Sequence, residues 1–516
     1  MGLVVTGATL LVVVSKSQPA LLTITTQHLT PCLPQYPLLQ TIYTLHFGPL
    51  SHLSGPRLWA ATRLPFLLSL MRGRITHDLA ALHRRHGPIV RITPDEVSFT
   101  DPSAWSDILQ PKPGGRHFTK HPSWYGPLPG LPPGLVLATS PDQHAAMRRY
   151  LSPAFSARAL RAQEPVIRAY VDLLLTRLRG LAGAEVDVVP WFNYLTFDIV
   201  GDLGFGRSFG CLESSAYHAW IALILDTSKA IVFVGSARFY PYLFAALMWL
   251  VPEKALKAQR EHTQYVVDCI ERRLGMEGER PDMLGQVVGK EKKGKGKGLD
   301  VLGLSSLFQE VVIAGSETTA MALSAAVSLL VQDEEKMGVL VREVRGGEIT
   351  ADATRELPYL NAVLQETLRV APPFPWLPSR VVPEGGGTVC GVWLPGGTAV
   401  SIPIAAMHKS PASFHDSEGF HPERWLPEAA TDPESPFYND KRNASQPFIL
   451  GPRQCIGINT AWMEMRLTMA KVLWTFDIAA PSDKSKLVKF DMLRSLMLLE
   501  KKPIPVMLKL REFKNG

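Results

Sequence analysis

Hydrophobic and polar residues follow one another along most of this chain with the period of an α-helix. Between Arg74 and His86, apolar and charged residues recur at helical spacing, and the stretch ends at Gly87-Pro88. Longer helices are predicted over residues 158–181, 259–274, 301–332 and 357–370. The third of these is the longest and the most apolar. The pattern therefore predicts a mainly α-helical protein.

Strand-like patterns are few and short. They cover residues 89–92, 96–99, 388–394 and 398–402, with further apolar runs at 493–499 and 504–510. Residues 111–141 are rich in Pro and Gly, and a loop of that length in a compact body is usually functional. The predicted fold class is mainly α with small β-sheets.

Composition and charge exclude several classes of protein. The 516 residues are 46% hydrophobic and carry a formal charge of +7. Residues 290–297 hold five Lys and one Glu, which indicates a solvated loop or a segment attracted to an anionic membrane, not a nucleic-acid-binding surface. The five cysteines are widely spaced, which excludes a disulfide framework and a Cys-x-x-Cys zinc site. Reduced thiols in a cytosol-facing domain are expected.

The first residues suggest a membrane anchor. Residues 1–14 are apolar, but Ser15, Lys16 and Pro19 interrupt the run before it reaches the roughly 20 residues of a spanning helix. The basic start of a signal peptide is absent, and an unstructured leader is the alternative. We interpret residues 1–54 as an anchor and connector, and residues 55–516 as one catalytic domain.

The segment Phe448-Ile-Leu-Gly-Pro-Arg-Gln-Cys-Ile-Gly457 carries the strongest chemical signal. Its glycines allow tight turns and the close approach of a flat ligand. Backbone N–H groups at the start of a helix, expected near Ile456, can stabilise a thiolate at Cys455. Arg453 adds a cation that can pair with a carboxylate of the ligand.

This segment resembles the cysteine-ligand loop of the cytochrome P-450 superfamily, Phe-x-x-Gly-x-Arg-x-Cys-x-Gly, at every fixed position. The resemblance extends from about Gly55 to the C-terminus. Residues 90–100 and 197–206 look like filamentous-fungal members of secondary-metabolite pathways, such as the isotrichodermin and averantin hydroxylases. The resemblance to the superfamily implies the cytochrome P-450 fold, with haem between a long oxygen-binding helix and the cysteine-ligand helix. It also implies Cys455 as the iron ligand, with Phe448 and Gly457 beside the cofactor.

A second motif lies midway along the most apolar predicted helix, at Ala314-Gly-Ser-Glu-Thr-Thr319. An acid inside an apolar helix is costly without a role, and Thr can bond back to the preceding turn and loosen the helix. In isolation this could be a kinked core helix. It resembles the oxygen-activating helix of the family, which implies proton relay by Thr318 and Glu317, with Ala314 and Gly315 next to the haem.

Two further pairs share helix faces. Glu366 and Arg369 are three residues apart, and they resemble the Glu-x-x-Arg pair of the family, which a later Arg joins. Here that residue is Arg424, followed by Trp425 where Phe is common. The resemblance implies a buried structural cluster that fixes the haem loop.

Haem propionates need cations. His144 and Arg148 are four residues apart on a predicted helix, which alone would suggest a basic surface pair. The resemblance makes them candidate propionate ligands, together with Arg380 and Arg453.

The resemblance implies insertion of one oxygen atom from O2 into an apolar small molecule, with haem b as cofactor. No Gly-x-Gly-x-x-Gly motif is present, so electrons are expected from an NADPH-cytochrome P-450 reductase, with cytochrome b5 as an optional second donor. The expected location is the endoplasmic reticulum membrane, with the catalytic domain facing the cytosol. The expected pocket walls are Trp124, Val311, Ala314, residues 374–377 and the turn near Ser495.

Two other classes of function remain open from the residues alone. One is a haem-thiolate isomerase or dehydratase that does not use O2; the other is a haem-binding sensor or an inactive scaffold. The intact pair of Glu317 and Thr318 favours oxygenation over both, because neither alternative needs it.

Overall fold

The computed structural model describes residues 35–112, 117–126, 132–276, 280–291 and 299–512. The apolar run at 1–14, and with it the expected anchor, lies outside the described residues, as does most of the lysine-rich segment 290–297.

Helices make up most of the described chain, as the sequence predicts. They are α1 (Gln35–His46), α2 (Arg57–Ala61), α3 (Leu64–Met71), α4 (Ile75–His86), α5 (Ser103–Leu109), α6 (Pro122–Tyr125), α7 (Pro141–Leu151), α8 (Ala157–Arg179), α9 (Val188–Phe205), α10 (Cys211–Ser214), α11 (Ala219–Ala237), α12 (Pro241–Trp249), α13 (Glu253–Leu274), α14 (Met283–Glu291), α15 (Val301–Leu330), α16 (Glu334–Gly346), α17 (Ala351–Arg355), α18 (Pro358–Val370), α19 (Ile404–His408), α20 (Glu428–Thr431) and α21 (Ile458–Thr475).

The strands form three small sheets. They are β1 (Ile89–Thr93), β2 (Glu96–Phe99), β3 (Thr119–Lys120), β4 (Glu185–Asp187), β5 (Leu377–Val381), β6 (Gly387–Val389), β7 (Val392–Leu394), β8 (Ala399–Ile402), β9 (Phe476–Ala479) and β10 (Pro505–Leu510). The largest sheet has the order β1-β2-β8-β5-β3, the second has the order β4-β10-β9, and β6 pairs with β7. The second sheet ties the C-terminal strand to the start of α9.

One expected strand is a hairpin. The run 388–394 divides into β6 and β7 because Cys390 and Gly391 both have positive φ, at 47° and 78°, which turns the chain back on itself. The alternating pattern of this run is therefore that of two short antiparallel strands.

Helix α15 is the central element of the largest core cluster. Asp300 caps its first turn by accepting a hydrogen bond from the Gly303 N–H at 2.8 Å. It packs against α9, α13, α18 and α21. Among the described helices it alone is long and apolar enough to cross a bilayer, but 67% of its most apolar stretch is buried inside the protein. Its apolar surface is therefore explained by packing within the core.

Candidate active site

The loop that carries Cys455 is held tightly against the end of α5. Gly451 has a φ of +79°, and a Cβ at this position would collide with the carbonyl oxygen of Leu109. The Cys455 N–H donates to the carbonyl of Phe448 at 3.1 Å, which closes the loop. Helix α21 begins at Ile458, close to the expected start. Only glycine satisfies both the backbone angle and the contact at residue 451.

Cys455 is exposed although protein surrounds its thiol, so the side chain faces an internal space. Burial raises the pKa of its thiol, while the Gly457 N–H and the charge of Arg148 lower it. Arg148 donates to the Gln454 carbonyl at 2.5 Å and so supports the loop directly. A metal cation at the sulfur would favour the thiolate that burial disfavours.

The middle of α15 also faces an internal space. Ala314 is exposed, although it lies at the centre of a helix that is mostly buried. Thr318 donates its hydroxyl to the Ala314 carbonyl at 2.6 Å, and the helix stays α-helical through this turn. A Cβ on Gly315 would lie 2.9 Å from Val200 of α9, so this glycine lets the two helices approach closely. Gly315 thus has a packing role that its position in the motif did not indicate.

Helix α15 contains only two charged residues, Glu310 and Glu317, seven positions apart. Glu317 pairs with Lys501 of the C-terminal loop at 2.9 Å. Glu310 accepts hydrogen bonds from the N–H groups of Val136 and Leu137 at 2.6 and 3.2 Å. Burial raises the pKa of Glu310 to about 7, although these N–H groups oppose the rise.

Cations gather where haem carboxylates would be expected. Arg453 donates to the carbonyls of Ala138 and Thr139 at 2.6 and 3.0 Å. Arg380 is buried in β5, and its Nε has no hydrogen-bond partner among the described residues. Burial and the neighbouring cations lower the pKa of His144 to about 3, so this imidazole is neutral.

Lys120 belongs to the same cluster of cations. It donates to the Val136 carbonyl, and burial together with Arg453 and Arg380 lowers its pKa to about 6, against the attraction of Glu310. Buried cations repel one another, and an orphaned guanidinium nitrogen is costly. The cluster therefore fits the two propionates of haem, which would supply the missing anionic partners.

A cavity of about 490 Å³ opens between α5, α7 and the cysteine loop. Four of the predicted cofactor ligands line it, namely His144, Arg148, Arg380 and Arg453. Cys455 and Ala314 do not line it, so this cavity is on the carboxylate side of the site and is not the substrate pocket.

The acid–arginine cluster lies deep in the core. Glu366, Arg369 and Arg424 are all fully buried. Arg369 makes two hydrogen bonds to the Glu366 carboxylate at 2.7 and 2.8 Å, and the Arg424 Nε donates to it at 3.0 Å. The His421 N–H and the Trp425 indole N–H each donate to the same carboxylate at 2.8 Å. Burial alone would raise the pKa of Glu366, but the two guanidiniums hold it below its ordinary value.

His408 joins this cluster to the cysteine loop. The Arg369 guanidinium donates to the His408 carbonyl at 2.9 Å, and the His408 Nε2 accepts from the Gln446 N–H at 3.1 Å. Gln446 lies two residues before Phe448. Burial lowers the pKa of His408 to about 3, so its ring stays neutral and can accept this bond.

The expected pocket walls divide into two groups. Trp124 and Trp376 pack edge to face at 5.3 Å and contact Phe66, within a buried aromatic cluster. Trp376 is 1% exposed, so it belongs to the core. Val311, by contrast, is half-buried on α15, one turn before the exposed Ala314.

Sequence reasoning missed Lys120, Glu310, His408 and Lys501. Glu310 had a usable signal, because two acids seven residues apart share one face of an otherwise apolar helix. Lys501 had none, because the exposed Lys502 stands beside it in the same context. His408 and Lys120 lie in segments without regular periodicity.

Comparison with known proteins agrees with this geometry. The sequence profile of the family "Cytochrome P450" matches residues 54–507. The averantin hydroxylase of Dothistroma septosporum is 39% identical over 87% of this chain and 84% of its own length. The cytochrome P450 monooxygenase stcF of Emericella nidulans is 37% identical over 92% of this chain and 98% of its own. The cytochrome P450 monooxygenase cpaH of Aspergillus oryzae is 38% identical over 86% of each chain.

The chain belongs to the cytochrome P450 family and is a haem-dependent monooxygenase. The family implies haem b as the cofactor, and O2, a small-molecule substrate and a partner reductase as reactants. The predictions of fold class, enzyme class and cofactor are confirmed.

Proposed function

We propose that Cys455 would hold the iron of haem b through its thiolate and that this monooxygenase hydroxylates an apolar small organic molecule. One observation carries the assignment. Helices α15 and α21 pack against each other, yet Ala314 in the middle of α15 and Cys455 just before α21 are both exposed inside the protein. A flat cofactor between them would meet the thiolate on one face and α15 on the other.

The residues around this space fit haem. Arg380, Arg453, Lys120 and His144 would hold the propionates, while Arg148 supports the cysteine loop. Phe448 and Gly457 stand on either side of Cys455 along the loop. Haem bound through a thiolate supplies the activation of O2 and the cleavage of its O–O bond.

On the opposite side, the protein's own groups would move protons. Thr318 presents its hydroxyl one turn after Ala314, and Glu317 is the nearest acid along α15. A hydroxyl can accept a proton from one neighbour and donate one to another, so Thr318 suits a relay that ends at the reacting oxygen. The role of Glu317 is to supply protons to the Thr318 hydroxyl.

The substrate follows from the lining and from the relatives. Val311 and Ala314 offer an apolar surface beside the relay. Similar proteins are named as averantin hydroxylase and as cytochrome P450 monooxygenases of fungi. We infer a hydroxylation in a fungal secondary-metabolite pathway, with electrons from an NADPH-cytochrome P-450 reductase and cytochrome b5 as an optional donor.

An apolar surface supports association with the endoplasmic reticulum membrane. Tyr242 and Trp249 on α12 are 83% and 87% exposed, and Leu38 and Leu39 of α1 and Phe47, which follows this helix, are exposed as well. Large exposed aromatic and aliphatic side chains suit the interface of a bilayer. Flotation with phosphatidylcholine vesicles should weaken in a Tyr242→Ser/Trp249→Ser variant. A Trp393→Ser control, which changes an exposed Trp on β7, should float like the parent protein.

The reduced, carbon-monoxide difference spectrum tests the central assignment. A red-shifted Soret band is expected for the purified protein, and its loss is expected for Cys455→His, because imidazole replaces the thiolate. A band that the substitution leaves unchanged would exclude Cys455 as the ligand. Incorporation of haem by the variant, measured as bound haem per protein, separates loss of the thiolate from loss of the cofactor.

A further inference from the structure

A lysine from the C-terminal loop reaches the acid of α15. Lys501 lies between the short bridge at Ser495–Leu499 and strand β10. Its Nζ is 2.9 Å from the Glu317 Oε2 and 2.5 Å from the Asn193 Oδ1 of α9. The side chains of Lys501 and Glu317 are only 12% and 13% exposed. Three separate segments of the chain therefore meet at one buried ion pair.

The pair is incompletely satisfied. The second oxygen of Glu317, Oε1, is buried and has no hydrogen-bond partner among the described residues. Removing two charges from water costs more than their attraction usually returns, so such a pair is poor evidence of stabilisation alone. A half-satisfied buried carboxylate is more readily explained by a need for Glu317 to be held and then released.

Among the described residues, the side chains next to the ion pair are polar and uncharged. Asn193 donates its Nδ2 to the Tyr217 hydroxyl at 2.7 Å, and the Tyr217 ring packs edge to face on Tyr194. Asp187 is the next acid that influences Tyr217. Burial lowers the pKa of Lys501, and the charge of Glu317 opposes this. Lys501 is the cation that faces Glu317.

The ion pair with Lys501 directs the Glu317 carboxylate away from Thr318. The Thr318 hydroxyl donates to Ala314, and no hydrogen bond joins Glu317 and Thr318 within the described part of the chain. The carboxylate of Glu317 instead binds the C-terminal loop. Proton transfer to Thr318 therefore requires the carboxylate to exchange one contact for another.

We propose that Lys501 is a positioning residue for proton delivery, because its ammonium holds Glu317 between α9 and the C-terminal loop. This inference rests on the proposed roles of Glu317 and Thr318. Without the ammonium, the buried carboxylate of Glu317 lacks a counter-charge and takes up a proton in place, and protons reach the reacting oxygen less efficiently. Lys501 acts through Glu317, its partner in the ion pair.

The first test observes Glu317 without turnover. In resting protein, Lys501→Met should give an additional infrared carbonyl stretch of a protonated carboxyl at neutral pH, seen in the difference spectrum against the parent protein, whose Glu310 and Glu464 contribute equally to both samples because burial raises their pKa values to about 7 and about 8. The band should vanish in the double variant Lys501→Met/Glu317→Gln. Absence of the band in the single variant, or its survival in the double variant, would overturn the proposal.

The second test measures how oxygen is reduced by the holoenzyme with its reductase and NADPH, without an organic substrate. Reduction of O2 to water consumes twice as many electrons and protons as reduction to hydrogen peroxide. The share reduced to water, obtained from NADPH, O2 and peroxide, should fall about tenfold in Lys501→Met, less than the hundredfold typical of losing a general acid itself. Lys501→Arg should restore it, and the exposed-site control Lys502→Met should behave like the parent protein.

The pH profile of the water share adds a signature that a purely structural role would not produce. The share should decline as the pH rises and Lys501 loses its charge, at a lower pH than an ordinary lysine would require. Lys501→Arg should abolish this decline, because a guanidinium keeps its charge. An unchanged decline in Lys501→Arg would contradict the proposal.

Failure of this inference and failure of the proposed function are distinguishable. A parent protein without the red-shifted carbon-monoxide band would refute the role of Cys455. Retention of the band in Lys501→Met together with the water share of the parent protein would refute only the role of Lys501.

Discussion

Two buried acid sites, at Glu366 of α18 and at Glu317 of α15, are built differently. Glu366, on the cysteine side, accepts five hydrogen bonds, from Arg369, Arg424, Trp425 and the backbone. Glu317, on the α15 side, has one oxygen on Lys501 and one without a partner among the described residues. The first carboxylate is locked in place, whereas the second is held by a single contact. Under the proposed roles, the cysteine loop is braced by a fully bonded carboxylate, whereas Glu317 has to break only one contact in order to move.

The two sides also differ in how their acids respond to pH. Arginine neighbours keep the pKa of Glu366 below its ordinary value, so its stabilising effect is present above that value and is lost as the pH falls. Burial raises the pKa of Glu310 on α15 to about 7, so its effect is present at low pH and is lost as the pH rises through about 7. The contribution of Glu366 is therefore sensitive to acid, and that of Glu310 is sensitive to neutral or alkaline conditions.

The largest effect is expected from Glu366→Gln. This change keeps the shape but leaves the buried Arg369 guanidinium without a carboxylate partner and Arg424 with Asp440 alone, which should cost about 3–5 kcal/mol of unfolding free energy. Denaturation of the holoprotein by urea measures it. Glu261→Gln, which breaks an exposed pair with Lys257, is the control and should cost less than about 1 kcal/mol. Equal losses in the two variants would show that the buried cluster does not lock the structure.

Glu310→Gln should remove the pH dependence of the α15 side. The raised pKa corresponds to a change of stability on the order of 3 kcal/mol as the pH rises from the ordinary Glu range to above about 7. Thermal denaturation at a series of pH values should show this decline in the parent protein and a flatter profile in the variant. A profile with the parent slope would mean that Glu310 does not titrate in this range.

Thr318→Ala tests the proposed proton relay on α15 directly. Loss of the hydroxyl should lower the share of O2 reduced to water about a hundredfold, equivalent to about 2.7 kcal/mol, while NADPH consumption continues. Ser316→Ala removes a similar hydroxyl, which donates to the Val312 carbonyl at 2.5 Å on a buried face, and should have no such effect. Unchanged turnover in Thr318→Ala would favour chemistry that does not use O2.

The smallest effect is expected from Trp425→Phe. The indole N–H is one of five donors to Glu366, so its removal should cost about 1 kcal/mol and leave the cluster in place. Unfolding in urea measures this, with Glu366→Gln as the reference for full disruption. A loss as large as that of Glu366→Gln would mean that the five donors act only as a complete set.

Local spacing made much of this molecule predictable. Helical periodicity located α4, α8, α15 and α18, and the pattern around Cys455 predicted its loop. The three-residue spacing of Glu366 and Arg369 placed both on one face of α18, where they bond. In each case the information lies within about two turns of helix.

The remaining features depend on segments that are distant in sequence. Lys501 meets Glu317 because β10 pairs with β4 and β9, which brings the C-terminal loop back to α9. His408 reaches Gln446 only after the turns that follow α19 have formed. Gly315 serves the approach of α9, which the motif around it does not reveal. No local pattern encodes such contacts, because their partners are determined by tertiary packing.

The contact of Gly451 with Leu109 has a consequence for chimeric proteins. The cysteine loop is seated on a backbone carbonyl at the end of α5, with no room for a side chain between them. Exchanging the loop alone between relatives would place the cysteine loop of one protein against the end of α5 of another, and the two surfaces need not fit. A functional chimera should also exchange the end of α5, since the contact with that segment determines the position of the Cys455 sulfur.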